Sequence, residues 1–148
     1  MAIRVRRAAD KSDLFDTIIE GDRNAFEYLY EALIFCAALG YASNRRVPLG
    51  ATGESIRWEL FQEGADALSA MLAVAASDDP EILAPERSDE RILIFEEYAN
   101  GGLEALAEEL DRHPTKTPRE VVLQLVLDQQ EVEETDLGIR KIAEDLSG

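Results

Sequence analysis

One cysteine, one histidine, one tryptophan and three lysines stand among 148 residues, and each shortage closes off a kind of chemistry. Cys36 alone cannot form an internal disulfide, in keeping with a reducing cytoplasm. Zinc sites are built largely from histidine and cysteine, and Cys36 with His113 falls short of a structural set. A nucleophile, histidine and acid triad would have to use His113, which sits between Arg112 and Pro114 at an expected helix end, and there is no Gly-x-Ser-x-Gly elbow. His113 therefore reads as a loop residue without a catalytic role. Cys36 has no histidine or cation near it in sequence to lower its pKa, and reads as a small buried hydrophobe. Glycine motifs for phosphate are missing too: Gly50-Ala-Thr-Gly53 has no following Lys-Ser/Thr, and Gly101-Gly102 lacks a preceding strand. No cofactor or metal is expected. The longest strongly apolar run, Ala32 to Leu39, is far shorter than the roughly 20 residues that span a bilayer. Met1 to Arg7 is positively charged, but no apolar region follows it as in a secretion signal. The expected location is the cytoplasm.

What is abundant is negative charge. Thirty-one acidic residues against 15 basic ones give a net charge of −16 and a pI near 4.3. DNA affinity depends on neutralising phosphates, so direct DNA binding is expected only through a local basic patch. Only Lys11, Lys116 and Lys141 are lysines, the other basic residues being arginine. Halophilic adaptation produces both features: at about 1 M salt the Debye length shrinks to about 3 Å, which screens self-repulsion while carboxylates keep the surface hydrated. An acidic surface that imitates DNA and occupies a nucleic-acid enzyme is the competing reading.

The hydrophobic fraction of 46% with 31% charged residues is that of a globular chain. The patterning predicts a single domain over 1–148 that is all-α or nearly so, a bundle of six or seven helices. Its basic N-terminal arm (1–9) and acidic tail (131–148) are expected to be peripheral. Ser12 caps a short helix with an apolar stripe at Leu14, Phe15, Ile18 and Ile19, ended by Gly21. Asn24 and Glu27 have the spacing of a capping box for a long second helix, apolar on every side from Ala32 and so expected at the centre of the core. A turn-rich loop follows from Ser43 to Gly53. Ile56 to Leu60 is either a short extended segment or the first turn of a helix. Phe61, Ala65, Leu68, Leu72 and Ala75 mark an amphipathic helix ending at Ser77. Asp79-Pro80 opens a short turn and Ser88 another helix, which Asn100-Gly101-Gly102 should break, because two glycines cost about 2 kcal/mol against alanine. Leu103 to Leu110 then forms its own helix, and Thr117-Pro118-Arg119-Glu120 caps another through Gln130.

Paired acids serve metal-dependent nucleases and glycosidases, but Glu96, Glu97, Glu104, Glu108 and Glu109 mostly fall off the apolar stripe and read as a solvated helix face. A metal-dependent hydrolase is the weaker alternative. The candidate partner-contact surface is Arg45, Arg46, Arg57 and Trp58, a basic and aromatic cluster around the turn-rich segment of an acidic chain. Its guanidinium groups suit a partner's carboxylates or phosphates, or else this protein's own acids.

Several phrases in order carry a family likeness: Ala38-Leu-Gly-Tyr41 with Arg45-Arg-Val-Pro-Leu49, then Glu54-Ser-Ile-Arg-Trp-Glu-Leu-Phe61, Asp79-Pro-Glu-Ile-Leu83 and Ile94-Phe-Glu-Glu-Tyr-Ala-Asn-Gly-Gly-Leu103. They resemble the dnd system-associated protein 4 family, small proteins of DNA phosphorothioation clusters. The similarity runs from about Leu14 to Gln130. It implies a role beside the machinery that replaces a non-bridging phosphate oxygen of DNA by sulfur, or beside the linked restriction and antiviral defence machinery. An accessory or regulatory protein is implied, bound to a larger protein of such a complex, with no catalytic residues to carry over.

Overall fold

In a computed structural model, which describes residues 3–21, 23–61 and 63–128 (for residue 63 the backbone only), the basic N-terminal stretch is a strand rather than a peripheral arm. Strand β1, Arg4–Ala8, pairs antiparallel with β2, Thr52–Arg57. The register sets Arg4 opposite Arg57, Val5 opposite Ile56 and Arg6 opposite Ser55, and an irregularity follows before Ala8 meets Thr52. Alternation explains the pairing: successive side chains of a strand point to opposite faces, so Arg4-Val5-Arg6 buries its valine and turns both arginines out. The extended segment thus lies earlier than Ile56 to Leu60. Trp58–Leu60 is a turn of 3-10 helix that brings Phe61 into the core.

Helix α1, Ser12–Ile19, buries Phe15 and Ile18 and ends as expected, with Gly21 at φ +91°, but Ser12 does not cap it: it is the first helical residue, after Lys11, and makes no side-chain cap bond. Helix α2, Leu29–Ala42, starts later than the Asn24 spacing suggests. The Asn24 amide instead donates to the carbonyls of Ile19 (2.8 Å) and Phe26 (2.7 Å), holding a turn, while Glu31 accepts the Tyr28 N–H at 3.0 Å. Helix α3 is Glu63–Ser77. Asp79 caps a 3-10 turn over Pro80–Leu83 by accepting the Glu81 N–H at 3.0 Å, and a second such turn, Pro85–Arg87, leads into α4.

Helix α4 runs without interruption over Ser88–Arg112. The expected break at Asn100-Gly101-Gly102 does not occur, and the reason is packing. A methyl group on Gly102 would stand 1.7 Å from the Cys36 carbonyl oxygen of α2, one on Gly40 of α2 would stand 2.0 Å from the Tyr98 carbonyl oxygen, and one on Gly101 would stand 2.2 Å from that of Arg45. These glycines let two backbones approach closely, and the contact outweighs their poor helix propensity. Between Tyr98 and Leu103 every residue is buried, so α4, which packs on α2, α3 and β1, is the central helix. The uniformly apolar α2 leaves Ala38 and Tyr41 exposed. Asn100 fastens the loop after α2, its amide donating to the carbonyls of Pro48 (3.2 Å) and Val47 (3.4 Å).

A fifth helix, α5, begins at 118 and extends through 128. Thr117 caps it as expected, accepting the Glu120 N–H on its hydroxyl (3.2 Å), while the Glu120 carboxylate accepts from that hydroxyl (3.1 Å) in place of the Thr117 N–H of a full capping box. The described residues therefore hold five α-helices and one small antiparallel sheet, fewer helices than six or seven and not purely α. The expected acidic tail at 131–148 lies outside the described residues. No described helix is long and apolar enough to cross a membrane.

Candidate functional site

The four residues expected to form one contact cluster are divided into two pairs. Arg45 grips Glu108 with two hydrogen bonds, at 3.0 and 2.6 Å, and Arg46 reaches Glu97 at 2.9 Å. That hydrogen bond from Arg45 holds the Glu108 carboxyl below the usual carboxylate range. At 100° per residue, positions 97, 101, 104 and 108 share one stripe of α4, and the Arg45-Arg46 loop lies along it. Trp58 is elsewhere. Its ring stacks on Phe61 at 4.9 Å and meets Phe95 edge-on at 5.5 Å, while its N–H donates to Asp66 at 2.8 Å. Phe95 lies roughly opposite Glu97 around the helix, so α4 stands between Arg45 with Arg46 and Trp58.

What the fold brings together instead is Arg57 with Arg4 and Arg6. The register places all three on the solvent side of the β1–β2 ribbon. Arg4 lies across β2, its Nε donating to the Ser55 hydroxyl at 2.6 Å and its Nη2 to the Ser55 carbonyl at 3.0 Å. Arg6 is tied to Glu96 by three bonds, from its backbone N–H (2.5 Å), its Nε (3.1 Å) and its Nη2 (3.0 Å). The hydrogen bond to Glu96 raises the Arg6 guanidinium further above its already high range. Among the described residues Arg57 has no ion-pair partner; its side chain is exposed at the end of β2.

Glu96 corrects the reading of the α4 acids as a solvated face. It is only 2% exposed, because β1 covers it and supplies both a backbone donor and a guanidinium. Glu97, Glu104 and Glu108 are likewise engaged, by Arg46, Lys11 and Arg45. A groove of about 530 Å³ runs beside the ribbon, lined by Arg4 and Arg6 of β1 and by Ser88, Asp89, Ile92 and Glu96 of α4. Arg4 and Arg6 were missed as site residues because a charged N-terminus reads as an arm. The alternation Arg-Val-Arg matched against Ser-Ile-Arg was the signal that both are strands.

Chemically, this ribbon offers guanidinium groups to carboxylates or phosphates. Cys36 is fully buried, and desolvation pushes its thiol up to about 12, which keeps it protonated and unreactive. His113 closes the C-terminal end of α4, 3.7 Å from Glu109. No group of three or more His, Cys, Asp or Glu among the described residues is spaced to hold a metal ion.

The model of one protein family, DNA sulphur modification system-associated protein 4, matches residues 4–142. The chain belongs to this family. No curated protein and no solved structure matches it. Family membership extends well beyond the stretch from Leu14 to Gln130 that carried the likeness, and takes in β1. Arg4 and Arg6 are thus part of the family domain, and the family is associated with a DNA sulphur modification (dnd) system.

Proposed function

We propose that the chain is a non-enzymatic accessory or regulatory protein of a DNA sulphur modification system, acting through contacts with a larger protein of that system. The family match over residues 4–142 carries this reading. The chain's physical character supports contacts with protein over contacts with duplex DNA. A net charge of −16 repels a polyanion, and of the arginines on the ribbon Arg4 and Arg6 are already engaged by Ser55 and Glu96. The burial of Cys36 with its thiol held protonated, and the place of His113 at a helix end, support the non-enzymatic reading.

Co-expression of the full chain with each protein encoded beside it tests the reading. Stable co-purification with one of them is the expected result, and a chain that elutes alone against all of them overturns it. Gel shifts with plain and phosphorothioated duplexes form the second arm. No shift is expected even at low salt, since the charge opposes it. If the chain instead competes with DNA for a system enzyme, and salt relieves the competition, it is an acidic DNA mimic. Hydrolysis that depends on added magnesium or manganese would make it an enzyme and end the proposal.

A further inference from the structure

A two-stranded ribbon has two edges, and in this protein only one of them is closed. On the β1 side the outward N–H of Arg6 donates to the buried Glu96 carboxylate at 2.5 Å. The β2 side is different. In an antiparallel pair, backbone groups alternate between facing the partner strand and facing away. The Trp58 N–H donates to the Ile3 carbonyl at 2.9 Å, and Val5 stands opposite Ile56, so Ile56 and Trp58 face β1 while Ser55 and Arg57 face outward. The Ser55 carbonyl receives the Arg4 guanidinium. The Arg57 carbonyl caps the 3-10 turn Trp58–Leu60, so what this edge offers, with no further strand beside it among the described residues, is the N–H groups of Ser55 and Arg57.

Proteins usually blunt such an edge with lysine or proline, or by covering it. Thr52-Gly-Glu-Ser-Ile-Arg57 holds neither residue type, and its protection is the charge of Glu54 and Arg57, the Arg4 guanidinium on the Ser55 carbonyl and the irregularity beyond Ser55. The strand is exposed over most of its length. Beside the open edge stand Arg57 and Arg4, two positive charges in a chain of net −16.

We propose that the outer edge of β2, at Ser55 and Arg57, takes up an extended acidic segment of a partner protein as a third strand. Carboxylates at alternate positions of that segment fall on one face and meet Arg57 and Arg4, while its main-chain carbonyls accept the Ser55 and Arg57 N–H groups. A peptide fits where DNA does not. Two backbone N–H donors two residues apart match the carbonyls of an extended strand, and Arg57 is the one guanidinium of the three without a committed partner, too little to hold a duplex against the chain's overall charge. The inference rests on the protein-contact reading above and gives that contact its place and chemistry.

The test uses the full chain with isotope-labelled amides and a synthetic end-blocked peptide alternating glutamate and valine. Its comparison probes are a peptide alternating lysine and valine, and a plain DNA duplex. The Ser55 and Arg57 amides are expected to shift and to exchange more slowly with the Glu-Val peptide and not with the Lys-Val peptide. Arg57→Glu, a surface change that leaves the core alone, should weaken binding about tenfold. Peptide binding that spares these amides overturns the proposal, as does equal binding of both peptides or a duplex that shifts β2 when the acidic peptide does not. Glu-Val binding without co-purification of a system protein removes the function proposed above and keeps the edge. A system protein that binds Arg57→Glu as well as wild type removes the edge and keeps that function.

Discussion

At Gly102 a single hydrogen atom decides whether two helices can touch. A methyl group there would meet the Cys36 carbonyl oxygen at 1.7 Å, an atom of helical backbone that cannot swing aside. Gly102→Ala should therefore destabilise the protein by about 3 kcal/mol in urea unfolding, as overpacking rather than altered propensity. Gly64 of α3 supplies the contrast, since nothing lies within 4 Å of the position a methyl would take and its φ is ordinary. Gly64→Ala should gain about 0.5 kcal/mol. Equal effects of the two substitutions would sink the close-approach account. A second residue-scale prediction concerns charge. Arg45 lowers the Glu108 carboxyl mainly by a direct hydrogen bond, so Arg45→Ala should return its titration towards the ordinary value of 4.5. The sign follows from that direction: the pair contributes fully above the ordinary carboxylate range, and its contribution is lost as pH falls through the lowered folded value. Carboxyl titration by NMR in both proteins checks it, and a Glu108 curve indifferent to Arg45 would refute the pairing.

Elements were legible where local chemistry and tertiary packing agreed. The helix from Ser12 to its Gly21 stop, the Asp79-Pro80 turn and the Thr117 cap all form where their residue types place them, although Ser12 begins its helix without a side-chain cap. Two features were not legible because their cause lies far away in sequence. Gly101-Gly102 reads locally as a break, and only the α2 backbone opposite makes it continuous helix. Arg4 to Ala8 reads as a charged arm until β2, some fifty residues on, provides its pairing partner. The candidate site suffered the same way: Arg45 and Arg57 are near in sequence, yet Arg45 and Trp58 contact different sides of α4. The clasp between Glu96 and β1 is an element-scale device open to test. Glu96→Ala leaves the Arg6 N–H without its acceptor and should cost about 2 kcal/mol. Hydrogen exchange at the Arg6 amide should then speed up. Glu96→Gln keeps a carbonyl oxygen at that position, so it should preserve amide protection while losing the ion pair with Arg6. Unchanged protection in the alanine variant would mean that β1 is held by Val5 and β2 alone.

Over the whole molecule the dominant quantity is the surplus of acid, 31 carboxylates against 15 basic side chains. Ion pairs join many described residues, at Arg45, Arg87 and their like, yet exposed pairs of this kind contribute little each. Added salt acts on both terms with opposite sign. It weakens the pairs, whose atoms sit within 4 Å and are screened least, and it relieves repulsion among uncompensated carboxylates spread over longer distances, which are screened most. Going from about 0.05 to 0.5 M sodium chloride shortens the Debye length from about 14 to about 4 Å, below the typical spacing of surface charges. Repulsion should therefore be the term that changes more, and the protein should become more stable across that range, with its melting temperature rising by several degrees. Sucrose in place of salt supplies the control for general exclusion effects, which do not depend on charge. The physical basis proposed for halophilic adaptation stands on this outcome. A melting temperature that stays flat or falls would show that the attractive pairs, not the surplus acid, govern the electrostatics of the fold.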